Sequence, residues 1–218
     1  AARLVDQGKN AYFHVALHSP RAVADARANR GREATATAIP GLWMDVDCEQ
    51  DGPKPRPPIE EAREILADLP IPPNMIVGSG RGLHAYWPLD EPLTTADGFA
   101  KALLHAWQVW IRRLFEDRGF QLDMTADLAR VLRLPGTANF KTDPASPVSV
   151  LSPPADTPAP RAELTDLLLA LPPDLLSDVT HAAQAAPASS AKATPAQVKL
   201  PGCSPNRATP SPARTTHA

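Results

Sequence analysis

Polar and apolar residues alternate one by one along parts of this chain and recur every three or four residues along others. The stretch Gly41-Leu42-Trp43-Met44-Asp45-Val46-Asp47 alternates and reads as a strand. Alternation sets Leu42, Met44 and Val46 on one face and Trp43, Asp45 and Asp47 on the other, so the two carboxylates emerge side by side. From Met75 to Trp87, MIVGSGRGLHAYW, two apolar runs are split by Gly, Ser and Arg, which predicts two strands joined by a tight turn. Residues 11–17 and 148–151 read as further strands, and 120–122 as a short one.

Helical spacing covers 59–69, with Ile59, Ala62, Ile65, Leu66 and Leu69 on one side, until Pro70, Pro72 and Pro73 stop it. A second helix is capped by Thr95 or Asp97, runs to about Asp117 and is closed by Gly119. Its stripe of Phe99, Leu103, Trp107, Trp110 and Leu114 is read as core rather than as a base-stacking platform. Residues 161–171 form an amphipathic helix, and 125–132 one or two helical turns ending at Pro135-Gly136. Residues 88–94 read as a loop, and 20–38 as an Arg- and Ala-rich loop or weak helix.

A hydrophobic share of 43% in 218 residues suffices for one core. The net charge of −2 hides an asymmetry: no acidic residue follows Asp178, while Lys192, Lys199, Arg207 and Arg214 do. The first 180 residues therefore carry 18 basic against 24 acidic side chains. A simple basic DNA-binding module fits that balance poorly, and a site that holds metals with carboxylates fits it well. From about His181 the chain is Ala, Pro, Ser and Thr, too poor in large apolar residues to bury a core, and disorder is expected there. The expected division is 1–155, a catalytic domain; 156–178, an appendage; and 179–218, a disordered tail. The opening ARLVDQGKN reads as the end of a helix already under way, so an N-terminally incomplete sequence is expected. Cys48 and Cys203 have no partner at metal-ligand spacing, which argues against a cysteine zinc site or disulfide framework and fits a reducing cytoplasm. No apolar run of about 18 residues suggests a membrane span.

Three clusters carry candidate chemistry. Asp45 and Asp47 suit a divalent ion, because Mg²⁺ seeks oxygen and is commonly held by one or two carboxylates plus substrate phosphates. Acidic strand ends beside polar loops are also common without any function. In the glycine turn, Ser79, Arg81 and His84 bring a hydroxyl, a guanidinium and an imidazole to free backbone amides, a grip for a triphosphate. Hairpins use such residues anyway, and His84 equally suits a satisfied, half-buried histidine. Third comes Asp123 ahead of Arg130 and Arg133, which share a face if the segment is helical, then Asn139 and Lys141. The alternative is a structural network in which the arginines pair with Asp123 and Asp127.

Taken together, the order and content of the three clusters resemble the archaeo-eukaryotic primase (AEP) superfamily, and most of all the RepB-like primase–polymerase domains of plasmids, phages and integrated elements. SGRGLHAYWPL and RVLRLPGTANFK carry most of the likeness, which covers roughly residues 10–151. The resemblance implies an α/β (α+β) fold, a mostly antiparallel sheet with packed helices of the RRM-like palm type. It implies that Asp45, Asp47 and Asp123 are catalytic and bind two Mg²⁺ or Mn²⁺ ions, with Asp127 the weaker candidate for the third position. Ser79, Arg81, His84, Arg130, Arg133, Asn139 and Lys141 would bind the nucleotide. The implied activity is template-directed nucleotidyl transfer in replication of a mobile element, as a DNA primase and polymerase. Implied partners are a single-stranded DNA template, NTP or dNTP, and a replicative helicase. A non-catalytic replication-initiation module and a metal-dependent nuclease are the competing classes. The zinc module and fused helicase of many relatives are not in this sequence.

Overall fold

The computed structural model describes residues 7–20, 31–48, 53–154 and 158–185. Its strands are β1 (Tyr12–His14), β2 (Leu17–His18), β3 (Ala36–Asp47), β4 (Met75–Gly78), β5 (Gly82–Thr94), β6 (Val131–Arg133), β7 (Thr137–Asn139) and β8 (Ser146–Ser152). Its helices are α1 (Ile59–Ala67), α2 (Phe99–Glu116), α3 (Leu164–Ala170) and α4 (Pro173–Ala185). Six strands form one sheet in the order β2-β3-β5-β4-β8-β7, every neighbouring pair antiparallel, and β1 and β6 form a separate antiparallel ribbon. The α+β class with a mostly antiparallel sheet is therefore the observed one. None of the described helices is long and apolar enough to cross a membrane.

β3 and β5 are the spine. Leu42 pairs with Trp87, Met44 with Ala85 and Val46 with Leu83, and all six side chains are buried. On this face Trp87 meets Trp107 of α2 edge to face, ring centroids 5.3 Å apart, and donates its indole N–H to the Ile71 carbonyl just past α1. The long apolar stripe of α2 thus covers one side of the sheet, with Leu103, Leu104, Trp107 and Ile111 fully buried. α4 packs on α2 in turn, buries Leu175 and Val179, and ties Asp174 to Arg113 at 2.7 Å. The opposite face holds Trp43, Asp45 and Asp47 with their partners Tyr86, His84 and Gly82. The β1–β6 ribbon crosses this face, with Phe13 6.4 Å from Tyr86.

Several expectations are corrected. Residues 11–17 do not make one strand, because the chain turns at Val15-Ala16 and feeds two different sheets. β5 runs on through Thr94 where a loop was expected, since Leu93 and Thr94 still pair with Ile39 and Ala38 past a bulge near Pro40. Residues 120–122 have no regular structure and join none of the described strands. Residues 125–132 are not helical: Val131–Arg133 form a strand, paired with β1. That strand could not be seen in isolation, because its partner lies over 110 residues away. Beyond the expected helix at 161–171, shortened here to α3, a further helix α4 runs to Ala185, past the boundaries expected at 179 and 181. Residues 2–6 of the expected helical remnant at 2–7, residues 21–30 of the Arg-rich segment and the expected tail beyond 185 lie outside the described residues.

Candidate active site

Asp45 and Asp47 stand on the same face of β3, where alternation sets them. Their register partners on β5 are His84 and Gly82. The pairing is tight because Gly82 has no side chain: a Cβ there would lie 2.1 Å from the Val46 carbonyl oxygen. At the tip of the hairpin Gly80 has φ +87°, and a Cβ would meet Ser146 at 2.9 Å and Asn139 at 3.0 Å. The glycines therefore press β5 against β3 and the turn against β7 and β8.

His84 is buried between Tyr86 and Asp45. The Tyr86 hydroxyl lies 3.4 Å from Nδ1, and Nε2 lies 3.7 Å from Asp45 Oδ1. Burial, and then the Arg133 guanidinium, pull the His84 pKa down to about 4, so the ring is neutral at pH 7. Burial keeps the Tyr86 hydroxyl protonated well above its usual range, with Asp45 adding to the effect. Asp45 itself is pushed up to about 6, first by burial and then by Asp47, against the opposing pull of Arg130, Arg133 and Arg56. Arg133 lies over the Tyr12 ring, 5.5 Å from guanidinium carbon to centroid, and its Nε is buried with no hydrogen-bond partner.

Asp123 approaches from the loop after α2. Lys54 Nζ lies 2.5 Å from its Oδ1 and Arg56 Nη2 lies 2.8 Å from its Oδ2. These bonds, Lys54 first, hold its carboxyl below the usual range. The same Arg56 nitrogen is 3.7 Å from Asp47 Oδ2. Two carboxylates, one on β3 and one on a distant loop, thus share one guanidinium nitrogen. Their oxygens can be no further apart than those two contacts combined. Gln108, fully buried on α2, sets this loop against β3: it donates to the Trp43 carbonyl at 2.8 Å and accepts from the Thr125 amide at 2.9 Å. Trp43 closes the loop by donating its indole N–H to the Thr125 carbonyl.

The remaining residues are distributed as follows. Ser79 is buried at the turn, where its carbonyl accepts from the Asn139 side chain at 3.1 Å. Asn139 is itself fully buried, so it braces the turn rather than lining an open surface. Arg81 and Lys141 are exposed. Arg130 pairs with Asp127 at 2.6 Å, which is half of the structural alternative, and does not share a helical face with Arg133. Sequence reasoning missed Lys54, Arg56, Gln108 and Tyr86. The only signal for the first two was positive charge in a proline-rich segment close behind Asp47.

No group of three or more His, Cys, Asp or Glu side chains among the described residues is arranged to hold a metal ion. Asp45 and Asp47 nevertheless fit a hard divalent cation. They are adjacent carboxylates, one held in a low-dielectric setting that its neighbour's charge makes worse, and an ion between them relieves both costs. Asp123 faces the same space but is engaged by Lys54 and Arg56.

No protein-family model matches the chain, and no curated protein matches it. Among solved structures, it is similar to the AEP domain of the primase–polymerase of cyanophage S-2L. The identity is 18%, the TM-score 0.54, and the match covers 78% of this chain and 75% of that one.

Proposed function

We propose that this chain, which has the fold of an AEP domain, is a DNA primase and polymerase that carries out template-directed nucleotidyl transfer. The observation that supports this best is the convergence, on one sheet face, of Asp45, Asp47, neutral His84 and the partner-poor guanidinium of Arg133, with Asp123 one guanidinium away. In that reaction a 3′-hydroxyl attacks the α-phosphorus of a bound nucleoside triphosphate and pyrophosphate leaves. When bound, Mg²⁺ or Mn²⁺ lowers the pKa of the attacking hydroxyl and neutralises charge on the triphosphate.

Asp45 and Asp47 would hold that ion, with Asp123 as the third carboxylate. His84 offers its Nε2–H to a phosphate oxygen; being neutral, it orients by hydrogen bonding and not by charge. Arg133 supplies the positive charge, and its seat on Tyr12 restricts where the guanidinium can point. Ser79, Arg81 and the glycine turn that Asn139 braces bind the triphosphate beside Asp47, and Arg130 and Lys141 extend the nucleotide site. The partners in this reading are single-stranded DNA, NTP or dNTP and a replicative helicase, in a mobile element replicated in the cytoplasm.

The test is to incubate the chain with single-stranded template, labelled nucleotides and Mg²⁺ or Mn²⁺ and to follow product length. Extended products that vanish in Asp45→Ala are expected. Shortened DNA would establish a nuclease instead. DNA retention indifferent to metal, with no product, would establish a non-catalytic binding module.

A further inference from the structure

We infer that Arg56 is a built-in counter-cation which occupies the space between Asp47 and Asp123 and must leave before a divalent ion can bridge them. This rests on the proposed reading of Asp45 and Asp47 as ion ligands and adds to it a residue that governs occupancy. One Arg56 nitrogen, Nη2, contacts Oδ2 of both carboxylates, at 2.8 Å and 3.7 Å. A guanidinium and a metal ion cannot use the same oxygen lone pairs at once, and their positive charges repel.

Arg56 is held at this position by its own segment as well as by the carboxylates. Its side chain is only 11% exposed, yet it is held from one short segment, 53–58, flanked by Pro55, Pro57 and Pro58 and free of regular structure. Two links beyond the carboxylates tie that segment down at this point. Arg56 Nη1 donates to the Gln121 carbonyl at 2.8 Å, and the Gln121 amide donates to the Pro55 carbonyl at 2.9 Å. Lys54 on the same segment holds the second oxygen of Asp123. The segment therefore presents two cations to one loop carboxylate. Without them, Asp47 and Asp123 would face each other with no intervening charge. The arrangement keeps the site assembled before ion and nucleotide arrive, at the cost of competition with the ion.

Binding of Mn²⁺ is counted directly, with no turnover, from the electron paramagnetic resonance of the free ion. Arg56→Gln is expected to bind Mn²⁺ roughly two- to fivefold more tightly than the native chain, the range that loss of a competing ion pair with half-exposed carboxylates implies. Arg63→Gln, on α1 and paired with Glu60, removes an equal charge elsewhere and should leave binding unchanged. Unchanged or weaker binding by Arg56→Gln overturns the inference. Asp45→Ala separates this from the parent reading. If Asp45→Ala binds Mn²⁺ as the native chain does, the ion site itself is misassigned. If it loses binding while Arg56→Gln gains nothing, only the role of Arg56 fails.

A second measurement needs no variant. In the native chain, Mg²⁺ should shift the side-chain ¹⁵N resonance of Arg56 while leaving that of Arg63 in place. A saturating Mg²⁺ titration that leaves the Arg56 resonance unmoved also overturns the inference.

Discussion

Asp45 and His84 face each other across the β3–β5 ladder, Nε2 3.7 Å from Oδ1, and at pH 7 the ring is neutral, so the contact is not an ion pair there. Burial moves them in opposite directions. The imidazole gains its charge only below about 4, and the carboxylate gains its own only above about 6. Between those values both are neutral, and above them the Asp45 carboxylate is charged beside a neutral ring. A cation bound by Asp45 would relieve the cost of that charge, as the proposed ion site requires.

Asp45→Asn should therefore stabilise the metal-free chain near neutral pH. A carboxyl whose folded pKa is raised holds its proton in both states below about 4. Between about 4 and about 6 the folded state keeps a proton that the unfolded state releases, so stability falls as pH rises; above about 6 the full cost is present. At about 1.4 kcal/mol per unit, discounted because a quarter of the side chain meets water, the gain should be about 1–2 kcal/mol at pH 7.5. Urea unfolding in EDTA should show this gain, and should show it vanish near pH 4. A loss of stability at pH 7.5 would contradict the cost assigned to Asp45.

Arg133→Gln should raise the midpoint of His84 in a proton NMR titration, from about 4 towards the ordinary histidine value. The guanidinium is the second cause of its depression, and burial remains. The same change should weaken nucleoside triphosphate binding, measured by calorimetry, by tenfold or more, roughly the worth of one charge-assisted contact. An unmoved His84 midpoint would place Arg133 outside the site.

Gln108→Leu tests what sets the distance between β3 and the Asp123 loop. Leucine fills the space but strands the Trp43 carbonyl and the Thr125 amide without partners. The expected loss is about 2–4 kcal/mol for two buried polar groups left unsatisfied. Amide exchange at Thr125 should accelerate beyond the global effect.

Gly82→Ala should be as damaging as a core truncation although it adds one methyl. Its Cβ would overlap the Val46 carbonyl, so β5 and β3 must part beside Asp47. A loss of about 3 kcal/mol or more is expected in denaturant melts, with at least tenfold weaker Mn²⁺ binding in the folded fraction.

How much of this was legible beforehand depended on the range of each interaction. The alternation from Leu42 to Asp47 and the glycine turn before His84 are local, and both could be read directly. The stripe of α2 was equally clear, since eighteen residues repeat it five times over. β6 was misread because an isolated VLR says nothing of Tyr12, Phe13 and His14 opposite it. Arg56 was missed for a similar reason. Its partners are nine and sixty-seven residues away, and an arginine between prolines has no periodicity to betray a face. Asn139 was legible as polar and near the turn, but only the fold reveals that its amide points inward, to the Ser79 carbonyl.

The seating of α4 on α2 bears on how the chain can be shortened. A fragment cut at residue 155, where the expected catalytic domain ends, would lose Leu167, Leu171, Leu175 and Val179, all nearly inaccessible to water. It would also lose Ala162, whose amide donates to the Pro88 carbonyl midway along β5. The outer side of α2 would be stripped bare, and such a fragment would aggregate when overproduced. A cut after Ala185 keeps that cover intact, and protease trimming of the whole chain should stop no earlier than the end of this helix.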